Sequence, residues 1–130
     1  MKRIGNLITE ENITHDFCIT AIEEAARHKH KKLSVQKVFA NIDKYAGLLR
    51  EMVLNDTFIP NKYIYEERIE NGKLRKLQKP KFFPDQCIHH ILIMLIQDKL
   101  VKRIDPYAVA SIKGRGQMRA FNAIKKWITY

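Results

Sequence analysis

A run of basic residues in the middle of the chain has the types and spacing that suit phosphate binding. Lys73, Arg75 and Lys76 follow the dipeptide Asn71-Gly72, which favours a tight turn between two strands. A Lys or Arg on a rigid strand stabilises the charge that develops on a triphosphate during phosphoryl transfer. The segment is therefore a candidate for phosphate contact. The alternative is a set of exposed cations that keep an edge strand from aggregating.

A second basic segment, Lys113-Gly114-Arg115-Gly116, combines arginine with glycine. Because glycine has no Cβ, backbone N–H groups and the guanidinium can approach a phosphate closely. We expect these four residues to contact nucleic acid, together with Lys79 and Lys81 beyond the basic strand. A simple turn that leads into a helix is the alternative for the glycine segment.

The composition favours a polyanionic partner. The chain has 130 residues, with 24 Lys and Arg against 14 Asp and Glu, which gives a net charge of +10. Nucleic acid is the partner that such a balance favours in a small domain, although solubility or an acidic protein partner would also account for it. The length and the 45% hydrophobic content predict one folded domain over residues 1–130.

The cysteines and apolar runs bear on the compartment. Cys18 and Cys87 are isolated from each other, so we expect buried, reduced thiols and neither a disulfide nor a metal site. The N-terminus has no apolar run of signal-peptide length, and the longest apolar stretch, Ile91 to Ile96, is too short for a membrane span. These features predict a cytoplasmic protein without a membrane partner.

A basic turn occupies Arg27-His28-Lys29-His30-Lys31-Lys32. These six residues either contact phosphate or form a solvated turn, and the sequence leaves both interpretations open. The surrounding cations argue against a metal site at the two histidines.

Apolar periodicity predicts four helices. Thr14 is placed to cap one from His15 to His28, and Ser34 opens a long helix in which apolar residues repeat from Val35 to Val53. A third helix, from Asp85 to Arg103 with Pro84 in its first turn, is apolar on nearly every face and is therefore expected to be deeply buried. A fourth contains Ala120, Ile124 and Trp127.

Between the second and third helices the sequence predicts a β-hairpin. Residues 62–69 are aromatic and β-branched enough for a strand, and Asn71-Gly72 supplies a type I′ turn to a second strand over residues 73–78. The order of the elements indicates an α+β domain that is mainly helical.

Three segments in fixed order resemble prokaryotic reverse transcriptases of the retron, diversity-generating and phage types. The first is the opening Lys2-Arg3-Ile4-Gly5-Asn6-Leu7, and the second runs from the basic strand through the proline-rich loop to His89-His90. The third is Tyr107-Ala108-Val109-Ala110-Ser111-Ile112-Lys113-Gly114-Arg115-Gly116-Gln117, similar to the family's loop before a helix. The resemblance covers nearly the whole chain.

The resemblance implies the fingers and first palm helix of a polymerase right-hand fold. It implies that Arg75 or Lys76 lies over the incoming nucleotide with Lys73 beside it, and that RNA template and primer are the partners. Asp85, His89 and His90, at the start of the third helix, are interpreted as structural. Which of Arg75 and Lys76 faces the triphosphate stays open.

The chain departs from the family where catalysis is concerned. It stops at Tyr130, before the positions of the family's catalytic aspartates, so we expect no catalytic residue, no metal site and no polymerisation by this chain alone. Mg²⁺ is expected only for the complete polymerase. The five aspartates that it does contain lie in helix or loop contexts: Asp43, Asp56, Asp85, Asp98 and Asp105.

Three interpretations of the whole chain follow. The first is a polymerase part that joins a palm and thumb region. The second is a stand-alone basic nucleic-acid-binding module, or a subunit that docks on a separate catalytic chain, with dimerisation through the palm-facing surface as one way to cover exposed apolar residues. A small helical DNA-binding protein would explain the charge but gives no role to the hairpin or the glycine segment.

Overall fold

The computed structural model describes residues 5–129, and over that range the chain is a mixed α+β protein. It has five helices and one two-stranded antiparallel sheet within the described residues. In chain order these are α1 His15–Ala26, α2 Leu33–Phe39, α3 Ile42–Leu54, β1 Ile64–Glu70, β2 Lys73–Lys79, α4 Cys87–Val101 and α5 Gln117–Ile128. The α+β prediction is confirmed.

The described residues divide into two compact units. Those up to Leu95 form unit 1, which contains α1 to α3, the hairpin and most of α4, and those from Ile96 onward form unit 2, which contains α5. The expectation of a single domain over residues 1–130 stays a prediction.

Helix α1 begins as its sequence indicates. The Thr14 side chain accepts a hydrogen bond of 3.1 Å from the backbone N–H of Phe17, which satisfies one of the free donors of the first turn. One face of the helix is buried, through Cys18, Ala21, Ile22, Ala25 and Ala26. It ends at Ala26, two residues before the expected end, and His28 has a positive φ of 63°.

The single long helix expected from Val35 to Val53 is wrong, because the structure has two helices there. Helix α2 ends at Phe39 and α3 begins at Ile42, with Asn41 in a non-helical conformation at φ −144° and ψ 50°. Val35 and Val38 on α2 and Ala46 and Leu49 on α3 nevertheless enter the same core. The apolar repeat therefore continues through the break, and periodicity alone does not reveal it.

The hairpin is present as predicted. Asn71 and Gly72 both have positive φ, at 52° and 73°, which is the requirement of a type I′ turn. The strands pair from Glu70 opposite Lys73 at the turn to Ile64 opposite Lys79 at the base. Only four of its strand residues are even partly buried: Glu66, Glu70, Leu77 and Lys79.

Helix α4 differs from the prediction in both its start and its burial. An irregular turn, Phe82–Gln86, holds Pro84 and a cis Phe83–Pro84 peptide bond, so the helix begins at Cys87. Its buried residues are Cys87, Ile88 and Ile91, whereas Ile93 is 50% exposed. The expectation of deep burial is wrong, because only one side of the helix packs on the core, where Met94 and Leu95 are partly buried. Leu92, Ile93 and Leu100 are exposed.

The core of unit 1 lies among α1, α2, α3 and the start of α4. Both cysteines are free and buried, as expected, and burial raises the pKa of Cys18 to about 11 and that of Cys87 to about 12. Among the described residues, none of the helices has the length and apolar character needed to cross a membrane.

Candidate functional site

The predicted nucleotide-binding residues lie on an exposed hairpin, where they are divided between the two faces of β2. Successive side chains of a strand point to opposite faces, so Lys73 and Arg75 share one face of β2 with Lys79, and Lys76 lies on the other. Lys73, Arg75 and Lys76 are all exposed. Arg75 and Lys76 therefore cannot both contact a ligand that binds on one face of the hairpin.

Glutamates of β1 already neutralise much of the charge on β2. Arg75 Nε lies 3.5 Å from Glu70 Oε2, and Lys76 Nζ lies 3.8 Å from Glu67 Oε1. Lys79 forms an ion pair with Glu66, and this contact is the main cause that lowers the pKa of the Glu66 carboxyl. Exposed pairs of this kind contribute little to stability, but they reduce the positive potential that an anion would meet.

A pocket of about 470 Å³ lies in unit 1, between the basic turn with α2 on one side and the base of the hairpin with the following loop on the other. Five lysines line it, and none of the described lining residues is an aspartate or glutamate. The lysines are Lys29, Lys32, Lys37, Lys79 and Lys81. We call this cavity the lysine pocket.

Apolar side chains form the remainder of the lysine pocket. Val35, Val38 and Phe82 are buried, and Tyr45 and Phe83 are half-buried. The rings of Tyr45 and Phe83 meet edge to face, with their centroids 4.8 Å apart. The pocket thus joins a positively charged rim to an apolar and partly aromatic wall.

Gln86 connects the two sides of the lysine pocket. Its Nε2 donates to the Pro80 carbonyl at 2.8 Å, and its Oε1 accepts a hydrogen bond of 2.8 Å from Lys29 Nζ. Lys29 also donates to the carbonyl of Ala25 at 3.1 Å. These bonds fix the ammonium group of Lys29 against the loop, 57 residues away in sequence from Gln86.

Asp85 fixes the loop from beneath and is only 3% exposed. Its carboxylate accepts hydrogen bonds from the backbone N–H of Asn61 at 2.8 Å and from Asn61 Nδ2 at 2.7 Å. The bonds join the loop that follows the hairpin to the segment that precedes it. The geometry supports the structural interpretation of Asp85.

The glycine segment belongs to unit 2, where the Arg115 guanidinium donates hydrogen bonds to backbone carbonyls of the same unit. Its Nη1 donates to the carbonyls of Asp105 at 2.8 Å and Ala108 at 3.2 Å, and its Nη2 donates to that of Val101 at 3.4 Å. Lys113, Gly114 and Gly116 are exposed. Arg115 thus has a structural task in fixing the segment after α4, and the predicted phosphate contact stays a prediction.

His89 and His90 stand in the first turn of α4, the former exposed and the latter half-buried. Burial is the main cause that lowers the pKa of His90 below its usual 6.5, and the positive charge of Lys29 is the second. The described residues contain no group of three His, Cys, Asp or Glu placed to hold a metal ion.

No protein-family model, curated protein or solved structure matches the chain. The resemblance to reverse transcriptases therefore stays a prediction, and of its first segment Lys2, Arg3 and Ile4 lie outside the described residues.

The structure brings together some of the expected residues and adds others. Lys79 and Lys81, expected at a nucleic-acid contact, meet in the lysine pocket with Lys29 and Lys32 of the basic turn. Lys37 was not among the expected residues. No sequence signal marks it, because only the packing of α2 beside the loop brings it to this pocket.

Proposed function

We propose that this chain forms the fingers and the beginning of the palm of a reverse transcriptase, an RNA-directed DNA polymerase. In this role the hairpin lies over the incoming nucleotide, and Lys79, Lys81 and the segment from Lys113 to Gly116 contact template and primer. The complete enzyme works in the cytoplasm. Mg²⁺ is a cofactor of the complete polymerase, whose catalytic aspartates lie outside the described residues.

The observation that carries the proposal is the charge on one exposed face of the hairpin. Four cations lie on that face, since Arg68 is opposite Arg75, and Glu66 and Glu70 neutralise only part of their charge. Arg75 and Lys73 lie on the same face as Lys79, which also lines the lysine pocket, so cations continue from the hairpin to its base. Lys76 lies on the opposite face beside the exposed side chain of Leu74. Of the two candidates for the triphosphate, this arrangement favours Arg75.

Binding to a primed RNA template over a salt series tests the proposal. We expect the logarithm of the affinity to fall linearly with the logarithm of the salt concentration, as counterion release requires. Arg75→Ala should weaken binding more than the matched variant Lys76→Ala, since each removes one cation of β2 but from opposite faces. Absence of binding even at low salt would contradict the proposed function, and equal effects of the two variants would contradict the assignment of Arg75.

A second candidate is a subunit that docks on a separate catalytic chain. It is favoured by α5, on which no described residue is buried and several large apolar side chains are exposed. These are Met118, Phe121, Ile124, Trp127 and Ile128. Sedimentation over a concentration series separates the alternatives for covering this helix: a homodimer sediments faster as concentration rises, whereas a monomer awaiting a different chain does not.

A further inference from the structure

The lysine pocket differs from the rest of the basic surface in how its charges are compensated. Within the described part of the chain, Lys32, Lys37 and Lys81 form no ion pair, and Lys29 donates only to neutral acceptors. Among the described residues, the one carboxylate in an ion pair with any of the five lysines is that of Glu66, which pairs with Lys79. Four of the five lysines that line this concave surface therefore have no ion-pair partner among residues 5–129.

Such an arrangement repels itself unless an anion occupies it. A cleft lined by one sign of charge, with low-dielectric walls behind it, concentrates the potential and attracts the opposite charge. The buried side chains of Val35, Val38 and Phe82 provide those walls. The complementary ligand therefore carries several negative charges in a compact group, as a phosphate or polyphosphate does.

The size and the wall of the pocket point to more than a bare phosphate. Its volume of about 470 Å³ lies within the range of roughly 300–1,000 Å³ in which proteins hold whole small molecules. The edge-to-face pair of Tyr45 and Phe83 offers aromatic surface beside the lysines. A ligand that uses both features has a phosphate joined to a flat apolar ring, and bases are the rings that aromatic side chains bind without regard to sequence.

We propose that the lysine pocket binds a nucleoside phosphate unit, with its phosphates at Lys32, Lys37 and Lys81 and its base against the wall formed by Tyr45 and Phe83. The unit is either a free nucleotide or one residue of a single-stranded nucleic acid. The site adjoins the Arg75 face of the hairpin through Lys79, but its three phosphate ligands lie outside the two strands. The inference rests on the proposed function for its ligand class, which is nucleotides and nucleic acid.

The test compares the parent chain with two double variants of equal charge. Lys32→Ala with Lys37→Ala removes two exposed cations of the pocket, and Lys44→Ala with Lys62→Ala removes two exposed cations that do not line it. The probe is a fluorescently labelled single-stranded oligoadenylate RNA. ATP and inorganic tripolyphosphate are the competitors.

We expect the pocket variant to bind the RNA about tenfold more weakly than the control variant near 0.15 M salt, with a salt slope shallower by about 1.4, the effect of two lost single-strand phosphate contacts. ATP should compete better than tripolyphosphate, because only ATP has a base. If ATP competes at micromolar concentration, free nucleotide is a ligand of the pocket. If it does not, while longer unlabelled RNA does, the unit belongs to a chain.

Three outcomes overturn the proposal in distinguishable ways. If the parent binds RNA but the two double variants behave alike, the pocket is not the site and the proposed function stands. If the parent binds neither RNA nor ATP, both fail. If tripolyphosphate competes as well as ATP, the pocket binds phosphate without a base. Circular dichroism of each variant, expected to match the parent because all four lysines are exposed, excludes unfolding as the cause.

Discussion

The hairpin and the lysine pocket are both basic, yet they hold their cations in opposite ways. On the hairpin, Arg75 and Lys76 each face a glutamate across the strands, whereas in the pocket Lys32, Lys37 and Lys81 have no described carboxylate partner. The two also differ in packing, since the hairpin is largely exposed and the pocket has a buried wall. A count of basic residues therefore locates charge, but the pairing of each residue determines where an anion is attracted.

The largest expected effect is on the free energy of unfolding, because the pocket wall is buried and the hairpin is not. Phe82 lines the pocket and is 6% exposed, so Phe82→Ala should reduce the free energy of unfolding by about 3–5 kcal/mol, the usual result of truncating a buried aromatic residue. Ile69→Ala on the hairpin, where the side chain is 73% exposed, should change it by no more than about 0.5 kcal/mol. Urea denaturation measures both. Comparable losses would show that the hairpin is packed as firmly as the pocket.

The parts of the fold that sequence predicts are those decided by neighbours in the chain. Thr14 caps a helix through a bond three residues away, and Asn71-Gly72 forms its turn from its own backbone preferences. The break at Asn41 is not visible in this way, because the apolar repeat serves the same core on both sides of it. Local chemistry therefore predicted the elements better than their boundaries.

The pocket was beyond sequence reasoning for a different reason. Its two sides are joined by Lys29 and Gln86, which are 57 residues apart, and no periodicity relates such positions. The basic turn was recognised as a candidate for phosphate contact, but a solvated turn has the same composition. Only the tertiary arrangement shows which lysines share a cavity and which lie beside a glutamate.

The second effect concerns Arg115, whose guanidinium binds backbone carbonyls of its own unit. Arg115→Ala removes donors to three backbone carbonyls, and we expect the local opening free energy of the segment after α4 to fall by about 1–3 kcal/mol. Hydrogen exchange of unit 2 measures this loss. Arg119→Ala, an exposed arginine of the same unit, is the matched control. Unchanged exchange in Arg115→Ala, together with weaker RNA binding, would return this residue to the phosphate-contact role.

A smaller effect is expected when Lys79 loses its glutamate partner. Glu66→Gln removes the carboxylate that pairs with Lys79 in the pocket and also with Arg68, which keeps Glu70 as a second partner. The variant should strengthen oligoadenylate binding about fourfold near 0.15 M salt, as one added phosphate contact at Lys79 would. Glu67→Gln frees Lys76 on the opposite face of the hairpin and is the matched control. Fluorescence anisotropy measures both. An equal gain in the two variants would mean that net charge, and not the pocket, governs binding.

The smallest expected effect is a pH dependence of stability that comes from His90, whose pKa depends in part on the charge of Lys29 in the pocket. Burial and the charge of Lys29 hold the pKa of His90 below 6.5, so between that value and the folded-state pKa the unfolded chain takes up a proton that the folded chain does not. The free energy of unfolding should therefore be highest above pH 6.5 and decrease as the pH falls through 6.5 towards the folded-state pKa. His90→Gln should flatten this dependence. An NMR titration of His90 tests whether the charge of the lysine pocket reaches this residue. Lys29→Gln, or ATP bound beside Lys29, should raise the pKa of His90, because either change reduces the positive potential at the imidazole. A His90 pKa that responds to neither would show that burial alone sets it and that the charge of the pocket does not reach α4.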